Sequence, residues 1–139
     1  MISIVPIYAA ILALYYIRLT FNTIDQRRSN KVSRGNGGNE DLDKAIRAHG
    51  NFIEFTPIAL LLLFFIETKT LGYTGTAGLV WAVSIHAWCL ILLVGRYLHA
   101  VGMTAEGKGS FRVRGMVSTI GVIVSSALSL FVLSIWQLF

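Results

Sequence analysis

Cysteine is nearly absent from this chain, and charge is scarce. One cysteine, Cys89, among 139 residues excludes an intramolecular disulfide, a dithiol redox pair and a thiolate metal site. A lone cysteine in the middle of an apolar run reads as a small packing residue. Charged residues make up 14% of the chain against 55% hydrophobic, and the mean hydropathy is +0.66, which does not suit an ordinary soluble domain. The opening residues lack both the basic start and the small-residue cleavage site of a secretory signal, so the first apolar run is expected to be retained. A basic surface with base-stacking aromatics is missing as well. The net charge of +5 and the pI of about 9.7 come from loops, while the aromatics sit inside or at the ends of apolar runs, which excludes nucleic-acid binding. His49 and Glu54 lack the i, i+3 or i+4 spacing of paired helical ligands, so no metal site is expected. The centre of the first run holds nothing ionisable, which gives no support to an ion-coupled transporter.

What is present is apolar sequence gathered into four long runs. Crossing a hydrocarbon layer about 30 Å thick takes roughly 20 such residues as a helix. The spans fall at about 2–21, 45–68, 75–98 and 113–138, predicting an all-α integral-membrane four-helix bundle in one domain, 1–139. Arg18, Glu67, Arg96 and Arg114 are the charges within or at the ends of these runs, apart from a polar cluster that opens the second. Arg27, Arg28, Lys31 and Arg34 crowd the stretch 22–43, which reads as a linker with a glycine-rich hinge at 35–38. Lys108 and Arg112 lie in the third connection. Basic connections prefer the cytoplasm, so loops one and three are expected there and both termini on the opposite side. Gly121, Ser125 and Ser129 recur every four residues, a small-residue face expected to pack against a neighbouring helix and to favour association of several copies.

The second span opens with Arg47-Ala-His49-Gly-Asn51-Phe-Ile-Glu54. An ionisable group in a membrane helix costs about 2.5–3.5 kcal/mol at mid-depth, so its presence needs a reason. At 100° per residue Arg47, Asn51 and Glu54 share one stripe, while His49 points elsewhere. Glu54 lies about 10 Å deeper than Arg47. Arg96 and His99 end the third span, and Arg112 and Arg114 open the fourth, all approaching from the same side. Several guanidiniums, one carboxylate and an amide suit a small flexible anion that also carries an amino group. Clustered cations would also favour the thiolate form of a thiol held nearby. The plainer alternative is an Arg47–Glu54 ion pair inside the bundle, with Arg96, Arg112 and Arg114 snorkelling to the interface.

Arg47-Ala-His49-Gly-Asn51-Phe-Ile-Glu54-Phe-Thr-Pro57 followed by leucines resembles the second-helix signature of the MAPEG family, the membrane-associated proteins in eicosanoid and glutathione metabolism. Gly95-Arg96-Tyr-Leu-His99 resembles the end of that family's third helix, and the short loops look most like its bacterial inner-membrane branch. The resemblance covers essentially the whole chain. It implies a homotrimer in the inner membrane that binds glutathione as co-substrate between subunits near the cytoplasmic face. It further implies a glutathione transferase or peroxidase acting on lipophilic electrophiles or lipid peroxides. Arg47, Asn51 and Glu54 inherit glutathione-binding roles, Arg96 a place beside the cavity mouth, and His49 and His99 complete the candidate binding set. The thiolate-stabilising arginine of the fourth helix is either Arg114 or Arg112. Gly50 stands where several members carry another arginine, and Phe55 and Met103 stand where tyrosines often occur. These departures leave open the alternative of a non-catalytic, lipid-binding or scaffold member.

Overall fold

The computed structural model describes residues 3–105 and 108–136, so the expected span ends at 2 and 137–138 lie outside the described residues. Four helices follow one another: α1 (Val5–Ser29), α2 (Glu40–Thr70), α3 (Gly75–Thr104) and α4 (Gly109–Trp136). All four are long and apolar enough to cross a membrane. α2, at 31 residues, is about 46 Å long, so its polar start projects beyond the hydrocarbon layer. Neighbours run antiparallel. The start of α1 meets the end of α2 through Ile4 and Glu67, and the end of α1 meets the start of α2 through Thr23 and the Ala45 carbonyl, 3.4 Å apart. α2 and α3 each pack on all three other helices, whereas α1 and α4 do not meet among the described residues.

Local chemistry sets the helix ends. Asn39 caps α2 by accepting from the Leu42 N–H at 2.8 Å, and Glu40, Asp41 and Asp43 occupy the first turn, where carboxylates complement the helix dipole. Arg27 and Arg28 do the converse in the last turn of α1. The stretch 22–43, expected as a linker, is therefore largely helical, and only 30–39 connects α1 to α2. Its glycines form a turn held by hydrogen bonds from Arg27 and Asn39. Gly35, Gly37 and Gly38 have positive φ, Arg27 Nη1 donates to the Gly35 carbonyl at 2.9 Å, and the Asn39 amide donates to Asn30 at 2.8 Å.

α1 has no local side-chain cap. Its cap comes from α2: Glu67, 5% exposed, accepts from the backbone N–H groups of Ile4 and Val5, the latter at 3.3 Å to each oxygen. A buried carboxylate on the positive end of a helix is stable where one in plain lipid would not be. Glu67→Ala is expected to destabilise the bundle by about 1.5–3 kcal/mol, the range for charged hydrogen bonds. Thermal unfolding in detergent checks this; an unchanged transition would mean that water caps α1 instead.

The interior stripe of α2 runs through Ala45, Ala48, Phe52, Thr56, Ala59, Leu63 and Ile66, a three-and-four spacing. Large apolar side chains such as Leu14, Leu79, Val117 and Phe131 face outward, as a lipid-facing surface requires. The closest helix approach is between α3 and α4. A Cβ at Gly115 would strike the Gly95 carbonyl and the His99 backbone, one at Gly95 would meet Ser118 Oγ at 2.5 Å, and one at Gly102 would strike the Arg112 backbone. Within one chain, Gly121 of the expected small-residue face makes no such close contact. Gly121 is exposed and has nothing within 4 Å of its Cβ position, and Ser125 Oγ turns back to the Gly121 carbonyl at 2.7 Å. Inside the chain, the buried face of α4 is the stripe of Gly115, Thr119, Val122 and Ser126, and Gly115 meets Gly95 of α3.

Candidate functional site

Arg96 enters the interior from α3, two turns before that helix ends. Only 1% of it is exposed. Nη1 donates to Asn51 Oδ1 of α2 at 2.8 Å and Nη2 to the Gly115 carbonyl of α4 at 3.2 Å. The guanidinium carbon lies 5.9 Å from the centre of the Phe55 ring, within cation–π range. The lack of a side chain at Gly115 both admits α3 and leaves its carbonyl open to Arg96. Nε has no partner, and no carboxylate pairs with Arg96 among the described residues. A buried cation held only by neutral dipoles is an expensive arrangement. An incoming anion would stabilise it strongly.

His99, one turn beyond Arg96, is also buried. Its Nδ1 lies 3.0 Å from the Arg112 carbonyl; a carbonyl only accepts, so Nδ1 carries the proton and Nε2 is left as an acceptor when the ring is neutral. This bond pins the start of α4 to the end of α3.

Of the residues singled out in sequence, Asn51 and Arg96 are brought together directly, and His99 lies beside them. Arg96 lies inside the bundle. Arg47 and Glu54 share the face of Asn51, but both are exposed. Arg47 pairs with Asp43, Nε to Oδ2 at 2.6 Å, not with Glu54. Arg112 and Arg114 have exposed side chains, and Arg112 joins the cluster only through its carbonyl. His49 is turned away. The Thr20 hydroxyl donates to the Tyr16 carbonyl at 3.0 Å and so accepts from His49 Nε2 at 3.0 Å. The ring stacks on Tyr16 with centroids 5.2 Å apart, which ties α1 to α2 on the side away from Arg96. Glu67, read in sequence only as a charge at a span end, is a structural cap at the opposite end of the bundle.

The fold and this cluster define a multi-pass membrane bundle with an uncompensated guanidinium in its interior, toward the end where α2 begins and α3 ends. The chain belongs to the MAPEG family, whose pattern matches residues 5–134. It is 34% identical over 96 residues to inner membrane protein YecN of Escherichia coli (strain K12), and to the protein of that name in Escherichia coli O6:H1. The aligned segment covers 69% of this chain and 66% of each relative, just under two thirds of their length. No solved structure gives a significant match. With four helices long and apolar enough to cross a membrane, the chain is a multi-pass membrane protein of this family.

Proposed function

We propose that the protein is a glutathione-dependent transferase or peroxidase for lipophilic electrophiles, working as a homotrimer with its site at the Arg96 end. The observation that carries this reading is Arg96 itself, buried without a counter-anion and with one N–H unused. Glutathione offers carboxylates for arginines, an ammonium for a glutamate, and a thiol. Arg47 and Glu54 are about 10 Å apart along α2, close to the reach of an extended tripeptide. In one subunit they look outward, with Glu54 among the exposed Ile53, Ile58 and Leu61. A carboxylate at that depth is costly against lipid, which favours a second copy covering this face and enclosing the ligand between subunits.

In this arrangement Asn51 orients the Arg96 fork, and Arg96 holds an anionic group of the ligand. Arg47 takes a carboxylate and Glu54 the ammonium. Arg114, or Arg112, reaches the thiol and favours its thiolate. The sulfur then attacks an electrophilic carbon arriving from the membrane: the carbon–sulfur bond forms, and the leaving group departs or a proton from solvent completes the addition. Loops one and three, with Arg27, Arg28, Lys31, Arg34 and Lys108, would face the cytoplasm where glutathione is supplied.

A second reading, a non-catalytic lipid-binding member, is favoured by the outward position of Arg112 and Arg114 and by Phe55, which sets a ring without a hydroxyl against Arg96. Native mass spectrometry from mild detergent with added glutathione separates the two. The expected result is a trimer carrying glutathione; a stable monomer would remove the site between subunits, and a trimer that takes up none would leave the scaffold reading. Cysteine reporters placed in loop one and near the C-terminus are expected to be labelled from the cytoplasm and the periplasm respectively. The reverse pattern would put the Arg96 end on the side without glutathione.

A further inference from the structure

Arg18 of α1 is, like Arg96, a cation with no carboxylate paired to it among the described residues. It stands where α1 meets α3. These two helices run parallel, each antiparallel to α2, and Tyr15 faces Tyr97 across them with ring centroids 6.0 Å apart. Asn22 and Thr104 each follow seven residues later, so they share a level about 10 Å nearer the end where α1 stops and α2 begins. Between the two levels Arg18 lines a cleft of about 220 Å³ together with Tyr15, Asn22, Tyr97 and Thr104. No hydrogen bond or ion pair among the described residues engages the Arg18 or Asn22 side chain. The Thr104 hydroxyl donates to the Ala100 carbonyl at 3.0 Å and so can accept from the cleft. Asp25, the one carboxylate of α1, does not line it.

The depth of Arg18 is the unusual feature. It lies about 16 Å before the end of α1, and Leu14, Ile17 and Phe21 around it are exposed apolar side chains of the kind that face lipid. A guanidinium at that level is costly against hydrocarbon, and its route outward, toward the headgroups, passes Asn22. We infer that this cleft holds the phosphate of an anionic phospholipid, gripped by the Arg18 fork and the Asn22 amide, with the acyl chains lying along the apolar outer side of α1. Guanidinium forks match phosphate oxygens in geometry and charge. The lining supplies a cation with N–H and O–H donors but no carboxylate, so it has no partner for the ammonium of a zwitterionic headgroup. A headgroup hydroxyl, in contrast, finds acceptors in Asn22 and Thr104. The cleft is separate from the Arg47–Glu54 stripe, which lies on the α4 side of α2 where Asn51 meets Met116; α1 and α4 do not meet among the described residues.

The test is native mass spectrometry of the delipidated full chain in mild detergent, titrated with dioleoylphosphatidylglycerol, dioleoylphosphatidylethanolamine and, as a soluble phosphate, glycerol 3-phosphate. Phosphatidylglycerol is expected to bind more tightly than phosphatidylethanolamine, and glycerol 3-phosphate is not expected to compete with it. Arg18→Gln should weaken phosphatidylglycerol binding by about three- to tenfold, the scale of one arginine near a membrane surface. Because Arg18 is exposed, that variant should keep the wild-type melting temperature when no lipid is added. Arg28→Gln removes the same charge from the last turn of α1 and should bind like the wild type. Equal loss in Arg18→Gln and Arg28→Gln would mean general attraction to a basic surface and would overturn the assignment. So would equal binding of the two lipids, unchanged binding in Arg18→Gln, or displacement by glycerol 3-phosphate, which would make the cleft a site for soluble phosphates.

Discussion

On the proposed function, replacing Arg96 with methionine is expected to leave the bundle folded and to weaken glutathione binding. The two effects have opposite origins. Burying a guanidinium without a carboxylate is costly, and an apolar side chain of similar length relieves that cost. Against this, Asn51 Oδ1 loses its Arg96 donor at 2.8 Å, at about 1–3 kcal/mol for a group left unsatisfied, while the Gly115 carbonyl keeps the Ser118 and Thr119 hydroxyls at 3.1 and 2.8 Å. These offset, and the melting temperature of Arg96→Met should move little. Glutathione affinity, in contrast, should fall by about 1.5–3 kcal/mol, the range for a charged hydrogen bond, or roughly 10- to 150-fold. Arg96→Lys should not restore it, because one ammonium cannot span Asn51 and Gly115 while also holding a ligand anion. Calorimetry and thermal unfolding on the same preparations read both quantities. A large loss of stability with unchanged affinity would make Arg96 a structural pin.

Gly115→Ala is expected to be strongly damaging for so small a substitution. The added carbon meets the Gly95 carbonyl and the His99 backbone, and backbone atoms in two packed helices cannot move aside as a flexible side chain can. Overpacking of this kind costs about 1–3 kcal/mol. It also separates α4 from α3 where Arg96 reaches the Gly115 carbonyl, so affinity and stability should fall together. Gly121→Ala is the control. Nothing lies within 4 Å of its Cβ position, and alanine is the better helix former by about 1 kcal/mol, so that variant should match or exceed the wild-type melting temperature. Equal effects at both positions would contradict the α3–α4 contact described above.

The contrast between Gly115 and Gly121 also shows where sequence reasoning stops. Four membrane-spanning helices were legible because apolar run length is itself the physical requirement for crossing a bilayer. The meeting of Asn51 and Arg96 was foreshadowed, since both are polar residues near the same end of neighbouring spans. A four-residue spacing of small side chains, however, marks a helix face without saying which way it turns. Gly121, Ser125 and Ser129 had the more regular pattern, yet the tight contact uses Gly95, Gly102 and Gly115. The cap by Glu67 left no local signal either, because its partners at Ile4 and Val5 are over 60 residues away. The His49 role in the family motif could not be weighed against its bond to Thr20 until α1 was in place. Arg47 and Glu54 were correctly put on one stripe. What the sequence of one chain does not contain is the neighbouring copy that would decide what the stripe faces.

The central claim is that the Arg96 end holds glutathione with its thiol activated, and the thiol itself reports on this. Ultraviolet thiolate absorbance of glutathione bound to the wild-type protein, titrated against pH, should rise at a pH clearly below about 8.5, the ordinary value for a cysteine thiol. Arg114→Ala should return the midpoint toward that value while ground-state affinity changes less, and Arg112→Ala should not, or the two should exchange roles if Arg112 is the residue that reaches the sulfur. A bound thiol that titrates as it does in free solution, in the wild type and in both variants, would contradict the catalytic account and leave a membrane bundle that binds without activating.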